Sequence, residues 1–182
     1  MKKTTQIALA ISALLLTSTA NAATLKVEAE AQLNAGERTA VKVEAWDIKG
    51  PVGYGLEVKQ HLAKDGQSAY GQVVGKVGYA LSKVYGFSPG VEAELGVKSE
   101  FTTDEFYGVV VRLHRPIGLF NAGVAYRYRD GINSNFVAEK RGSVGLAYPL
   151  NPNTEVGVTY HNYFKDTVKD TNAVAISMTR KF

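Results

Sequence analysis

From Leu25 onward the chain alternates apolar and polar residues with a period of two. Leu25, Val27, Ala29, Ala31 and Leu33 share one face of the first segment, and Lys26, Glu28, Glu30 and Gln32 share the other. Successive side chains of a strand point to opposite faces, so this is strand periodicity and not helix periodicity. The pattern recurs along the chain. Val52, Tyr54, Leu56 and Val58 oppose Gly53, Gly55, Glu57 and Lys59, and Val91, Ala93, Leu95 and Val97 oppose Glu92, Glu94 and Lys98. Further on, Tyr107, Val109, Val111 and Leu113 oppose Val110, Arg112 and His114, while Val174, Ile176 and Met178 oppose Ala175 and Ser177. Ten such segments are expected. Trp46 and Val110 fall on the polar face and break the pattern.

A soluble β-sandwich also alternates, and three features separate it from a membrane barrel. The segments run about nine to eleven residues, the length of a tilted strand that crosses a bilayer, whereas soluble strands are mostly about five or six. Their count is even, as in bacterial outer-membrane barrels. The turns also fall into two alternating classes. Pro51, Pro89, Pro116, Pro149 and Pro152 are placed in every second turn, and the others are polar: NAGER, AKDGQS, TTDE, DGINSN and KDTVKD. With both ends of the barrel in the periplasm, the proline turns are periplasmic and the polar loops extracellular. Aromatic residues on the apolar face gather toward the strand ends, with Tyr54, Tyr79, Phe87, Phe120, Tyr148 and Phe182 on one side and Phe101, Tyr107, Tyr126, Tyr128 and Tyr160 on the other. Amphipathic rings favour the two bilayer interfaces, so these form two girdles. The expected fold is therefore all-β: a transmembrane antiparallel up-and-down barrel of about ten strands.

The first residues follow a different rule. Lys2 and Lys3 precede the apolar run Ile7 to Leu16, and Ala20-Asn21-Ala22 is a small-x-small cleavage site. That is the arrangement of a secretory signal peptide, too short to span a bilayer. Residues 1–22 are expected to be cleaved and 23–182 to form the barrel in the outer membrane of a Gram-negative bacterium. Outer-membrane lipid and lipopolysaccharide are the expected surroundings. The strand that ends in Phe182 resembles the signal read by the outer-membrane assembly machinery, with Arg180 departing from the usual apolar residue.

Composition narrows the chemistry. The 182 residues include 18 Gly, 10 Tyr, 7 Phe and no Cys, which removes disulfides and thiolate metal sites. The formal net charge of +4 loses Lys2 and Lys3 on cleavage, and the near-neutral remainder argues against a nucleic-acid partner. The three histidines, His61, His114 and His161, are scattered and form no metal motif, so no cofactor is expected. His61 and His161 approach Asp65, Ser68 and Asp166 by topology, but no spacing of a barrel enzyme is present.

The polar face carries the candidate site. Glu28, Glu30, Glu44, Glu57, Glu92 and Glu94 lie on the first five strands, interspersed with Lys42, Lys59, Lys76 and Lys98. Arg112, Arg127, Arg129 and Arg141 lie on strands six to eight, with only Glu139 expected to oppose them. Guanidinium groups suit carboxylates and phosphates, so these eight cationic residues are the expected lining of a pore. Inward glycines at 53, 55, 78, 96, 108, 123, 145 and 157 are expected to leave it open. Eight strands are just filled by side chains, and sixteen or more leave a channel. Ten falls between. A lumen closed by its own ion pairs is the alternative, and a barrel enzyme at the outer leaflet is a third reading.

The segments YGFSPGVEAELG and FYGVVVRLHRPIGLFNAGVAYRYRDG, within Ala69–Tyr163, resemble the oligogalacturonate-specific monomeric porins. The matching features are Pro89-Gly90 opening a strand and Arg127-Tyr128-Arg129 ending another. The resemblance implies a small monomeric channel that passes acidic oligosaccharides along basic tracks, with Arg112, Arg127, Arg129 and Arg141 as track residues. That family has twelve strands, against the ten read here.

Overall fold

A computed structural model describes residues 23–33, 39–62, 69–99, 103–132, 136–164 and 171–182. The expected leader, residues 1–22, lies outside them. Ten strands follow in order: β1 (Ala23–Gln32), β2 (Thr39–Lys49), β3 (Val52–His61), β4 (Tyr70–Ala80) and β5 (Ser88–Ser99), then β6 (Thr103–Ile117), β7 (Phe120–Gly131), β8 (Glu139–Asn151), β9 (Thr154–Phe164) and β10 (Thr171–Lys181). Each pairs antiparallel with its sequence neighbours, and β1 pairs with β10 to close the barrel. Closure leaves no strand edge to recruit another chain. No helix among the described residues is long and apolar enough to cross a membrane.

The alternation maps onto the wall as the sequence demands. Val27, Leu56, Val77, Leu95, Val109, Val124, Val144 and Ile176 are exposed on the outside, while Glu28, Glu57, Lys76, Glu92 and Arg129 are buried within. A protein in water would hide the first set and solvate the second. This inversion is what hydrocarbon outside and polar groups inside require. Tyr54, Tyr79, Phe120 and Tyr148 are exposed toward one rim and Tyr107, Tyr126 and Tyr160 toward the other. The Phe120 and Tyr148 rings pack with centroids 5.6 Å apart. Phe101 lies outside the described residues. Phe87 departs from the girdle: it sits in the β4–β5 connection under the Arg115 guanidinium, 4.9 Å from its ring.

The turns at the rim that holds the start of β1 and the end of β10, the inner rim, are tight. Gly50-Pro51, Gly118-Leu119 and Pro152-Asn153 each reverse the chain between strands. The β4–β5 connection is longer and closes on itself. Val84 and Phe87 exchange backbone hydrogen bonds across Tyr85 and Gly86, both at positive φ, as a two-residue hairpin with right-handed twist requires. Three of the five prolines differ from the expectation. Pro89, Pro116 and Pro149 sit in β5, β6 and β8, at the strand ends by this rim. A residue without an N–H is tolerated at strand ends and irregularities, and the β8–β9 register shifts between Pro149 and Asn151. At the outer rim β6 and β7 run further than the polar loops implied. Asp104 and Glu105 belong to β6, and Asp130 and Gly131 to β7.

Candidate functional site

The inner half of the lumen has two unlike walls. β1 to β6 send in long charged side chains, among them Glu28, Lys42, Glu44, Glu57, Lys76, Glu92 and Arg112. β7 to β10 send in Ala125, Ser143, Gly145, Ala147, Gly157 and Ser177. Short side chains on one side leave a cavity of about 240 Å³. It runs from His114 and Asn121, exposed at the inner rim, up to Arg141 and His161.

Beyond Arg141 and His161, side chains meet across the barrel. Lys59 Nζ lies 2.8 Å from Glu30, and the Tyr163 hydroxyl donates to the same carboxylate at 2.9 Å. Arg129 donates from Nε to Glu94 at 2.6 Å and from Nη1 to Gln72 at 3.3 Å, and its Nη2 is 3.6 Å from Glu57. Phe106, fully buried, sits beneath that guanidinium at 4.8 Å. Arg127 pairs with Glu139. Together these side chains form a constriction in the outer half of the lumen.

At the boundary of cavity and constriction Lys76 serves four carboxylates. It is 2.8 Å from Glu44 and 2.6 Å from Glu57, with Glu92 at 3.5 Å and Glu94 at 3.6 Å. One ammonium cannot neutralise four carboxylates; Arg112 takes Glu92, Arg129 takes Glu94 and Lys42 approaches Glu44. Charges removed from water are tolerated when matched in this way.

All eight expected pore residues point inward. Lys42, Lys76, Arg112 and Arg141 line the cavity. Lys59, Arg127 and Arg129 build the constriction, and Lys98 lies over the Tyr70 ring at 4.6 Å near the outer end. The expectation that Glu139 alone opposes the arginines does not hold. Glu92 on the neighbouring strand β5 pairs with Arg112, and Glu94 on β5 and Glu57 on β3 reach Arg129, while Arg141 lies over Tyr163 at 5.8 Å.

Gly145 and Gly157 line the cavity as expected, but the other six inward glycines act differently. A Cβ on Gly55 would lie 2.8 Å from the Trp46 indole, and Gly53 and Gly78 flank the same ring at 3.2 and 3.4 Å. Gly96 faces Phe106, Gly108 faces Arg129 and Gly123 faces His114 in the same way. These glycines seat large inward side chains and do not widen the pore. Trp46, which broke the alternation, is thereby explained. Its ring fills the groove of three glycines and its Nε1 donates to Glu44 at 2.7 Å. Tyr163, Gln72 and Phe106 were not singled out from the sequence. Their inward parity was readable, but the cross-lumen contacts depend on barrel closure.

A closed ten-stranded antiparallel barrel, apolar outside and charged inside, is the fold of outer-membrane β-barrels. A scan against protein-family models finds no match, and no curated protein matches the sequence. Solved structures do. The NanC porin superposes with a TM-score of 0.61 at 10% identity, covering 87% of this chain and 100% of that one. The β domain of the Bordetella autotransporter BrkA gives 0.51 at 10% identity over 87% and 98%. The KdgM porin gives 0.49 at 12% identity over 86% and 99%. At such identities the likeness speaks for the fold alone: a small outer-membrane barrel, similar in architecture to the NanC porin.

Proposed function

We propose that this protein is a narrow channel of the Gram-negative outer membrane through which small hydrophilic solutes diffuse passively. The observation that carries this is the cavity of about 240 Å³, lined by charged and small residues, which reaches from His114 and Asn121 at the inner rim to Arg141 and His161. A barrel that served only as a membrane plug would gain by filling that wall with larger side chains. Instead Gly145, Ala147, Gly157 and Ser177 keep it small. Export through cleavage of residues 1–22 and residence in outer-membrane lipid as a monomer belong to the same proposal.

In this reading Lys42, Lys76, Arg112 and Arg141 line the vestibule, and Lys59, Arg127, Arg129 and Lys98 line the narrow segment. Acidic oligosaccharides are the finer reading, supported by these eight cations and weakened by the carboxylates beside them. We expect a weak preference for anions and no exclusion of cations, because ion-paired guanidiniums focus little net field. Purified protein in liposomes should admit a small neutral sugar, and the reversal potential in a salt gradient should lie slightly toward anions. Liposomes that stay impermeable to ions and sugars alike would overturn the channel.

A second reading, a closed structural barrel, is favoured by the contact of Arg129 with Glu57 across the lumen. Impermeable liposomes holding correctly folded protein would select it. For the outer-leaflet enzyme, Asp65, Ser68 and Asp166 lie outside the described residues, and His61 stacks on Tyr70 with centroids 4.1 Å apart.

A further inference from the structure

We propose that Glu28, Glu30 and His161 form a binding site for one divalent cation of zinc-like preference in the wall of the lumen. The proposal does not rest on the channel reading.

Glu28 and Glu30 are two residues apart on β1 and therefore share its inner face. His161 is on β9, with β10 between. Opposite His161, Glu30 and Glu28, β10 presents Ala173, Ala175 and Ser177, all short, the two alanines buried. These short side chains leave the space in which side chains of β9 and β1 meet. One ligand atom from each of the three residues lies within 4.8 Å of the others. Ligand atoms about 2.1 Å from a tetrahedral ion are roughly 3.4 Å apart, a contraction within reach of side-chain rotation.

The second observation is the imidazole itself. His161 is 4% exposed, and its Nδ1 is 2.8 Å from the Ser143 hydroxyl. Its Nε2 is buried without a hydrogen-bond partner. A buried nitrogen without a partner forfeits the hydration it had in water. In the tautomer whose Nδ1–H donates to Ser143, the lone pair is on Nε2, the form that binds metal. Metal-bound histidines are commonly oriented through their other nitrogen in this way.

The carboxylates are braced on one oxygen each. Lys26 holds Glu28 Oε2 at 2.9 Å, and the Tyr163 hydroxyl holds Glu30 Oε1 at 2.9 Å. The remaining oxygens carry the Lys42 and Lys59 ammoniums, each at 2.8 Å. A cation would take the place of these two ammoniums. Their alternative contacts exist already: Lys42 is 3.9 Å from Glu44, and Lys59 is 3.5 Å from the Tyr163 oxygen. Calcium and magnesium favour six or more oxygen ligands, whereas an imidazole with two carboxylates suits zinc. The bound ion would tie β9 to β1 over β10, beside the seam that closes the barrel.

The test uses tag-free full-length protein folded in detergent, titrated with Co²⁺ followed by its visible absorption, then with Zn²⁺ in competition. We expect saturation at one equivalent, displacement by Zn²⁺, and an unfolding temperature raised by Zn²⁺, since a ligand bound only by the folded state stabilises it. His161→Gln and Glu30→Gln should each weaken binding tenfold or more, and His114→Gln should leave it unchanged. Ser143→Ala keeps all three ligands and should weaken binding about tenfold by freeing the ring, which decides the matter if His161→Gln does not fold. No saturable Co²⁺ binding by the wild type, or the same affinity in the folded variants of this site as in the wild type, overturns the proposal.

Discussion

Arg129 on β7 and Glu57 on β3 lie 3.6 Å apart, although four steps around the ten-strand wall separate their strands. The same guanidinium donates to Glu94 on β5. With Gln72 on β4 also accepting from it, this one side chain joins four strands and spans the lumen at that level. Arg129 is 2% exposed, and Glu57 and Glu94 are equally hidden. Removing Arg129 leaves two buried carboxylates sharing Lys76. Breaking a buried pair from one side costs about 3–5 kcal/mol. We expect Arg129→Ala to destabilise the barrel by that amount in reversible unfolding in lipid, and Arg129→Ala with Glu94→Gln to recover part of it. Equal stability of wild type and Arg129→Ala would show that the contact carries no energy.

The seat of Trp46 gives a sharper packing test. A methyl group on Gly55 would meet the body of the Trp46 indole at 2.8 Å. Overpacking of this kind costs about 1–3 kcal/mol. Gly55→Ala should be destabilised by that much, and Trp46→Leu in the same chain should relieve it. Gly75→Ala is the control, because its nearest neighbour is the Leu95 carbonyl oxygen at 3.8 Å. A Gly55→Ala barrel as stable as Gly75→Ala would contradict the placement of the ring.

The outer face should reject charge. Val109 and Val144 are exposed on the middle strands of the wall, 49% and 53% in the absence of lipid. Arg at either position should cost about 2–4 kcal/mol of stability in bilayers, as it does near the midplane of such barrels. The same substitution at Leu119, in the inner-rim turn, should cost much less. If all three cost the same, the membrane belt is misplaced.

The strand count, the two faces and the closed barrel were legible because period-two alternation is a local property, repeated strongly enough in ten segments to override the weak signal of each. The inward parity of Lys42, Lys59, Lys76, Lys98, Arg112, Arg127, Arg129 and Arg141 was legible for the same reason. Their partners were not. Which carboxylate meets Arg129 depends on the stagger between strands and on the diameter, and both are set only when β1 meets β10. The six glycines that seat large side chains depart from the expectation for a related reason. Alternation places Gly55 inside, but only the pairing of β2 with β3 puts Trp46 directly opposite it. Pro89, Pro116 and Pro149 are expected in turns because proline usually interrupts a strand; at the inner rim the strands continue through them.

The most direct test of the channel is single-channel recording in a planar bilayer, with insertion of folded protein verified by heat-modifiable migration. The wild type should give small, resolved conductance steps. Arg129→Ala with Glu57→Ala should enlarge them, because the cross-lumen contact that narrows the path is gone. A wild type that inserts and folds yet conducts nothing, even when this pair is removed, would contradict the account and leave a closed structural barrel.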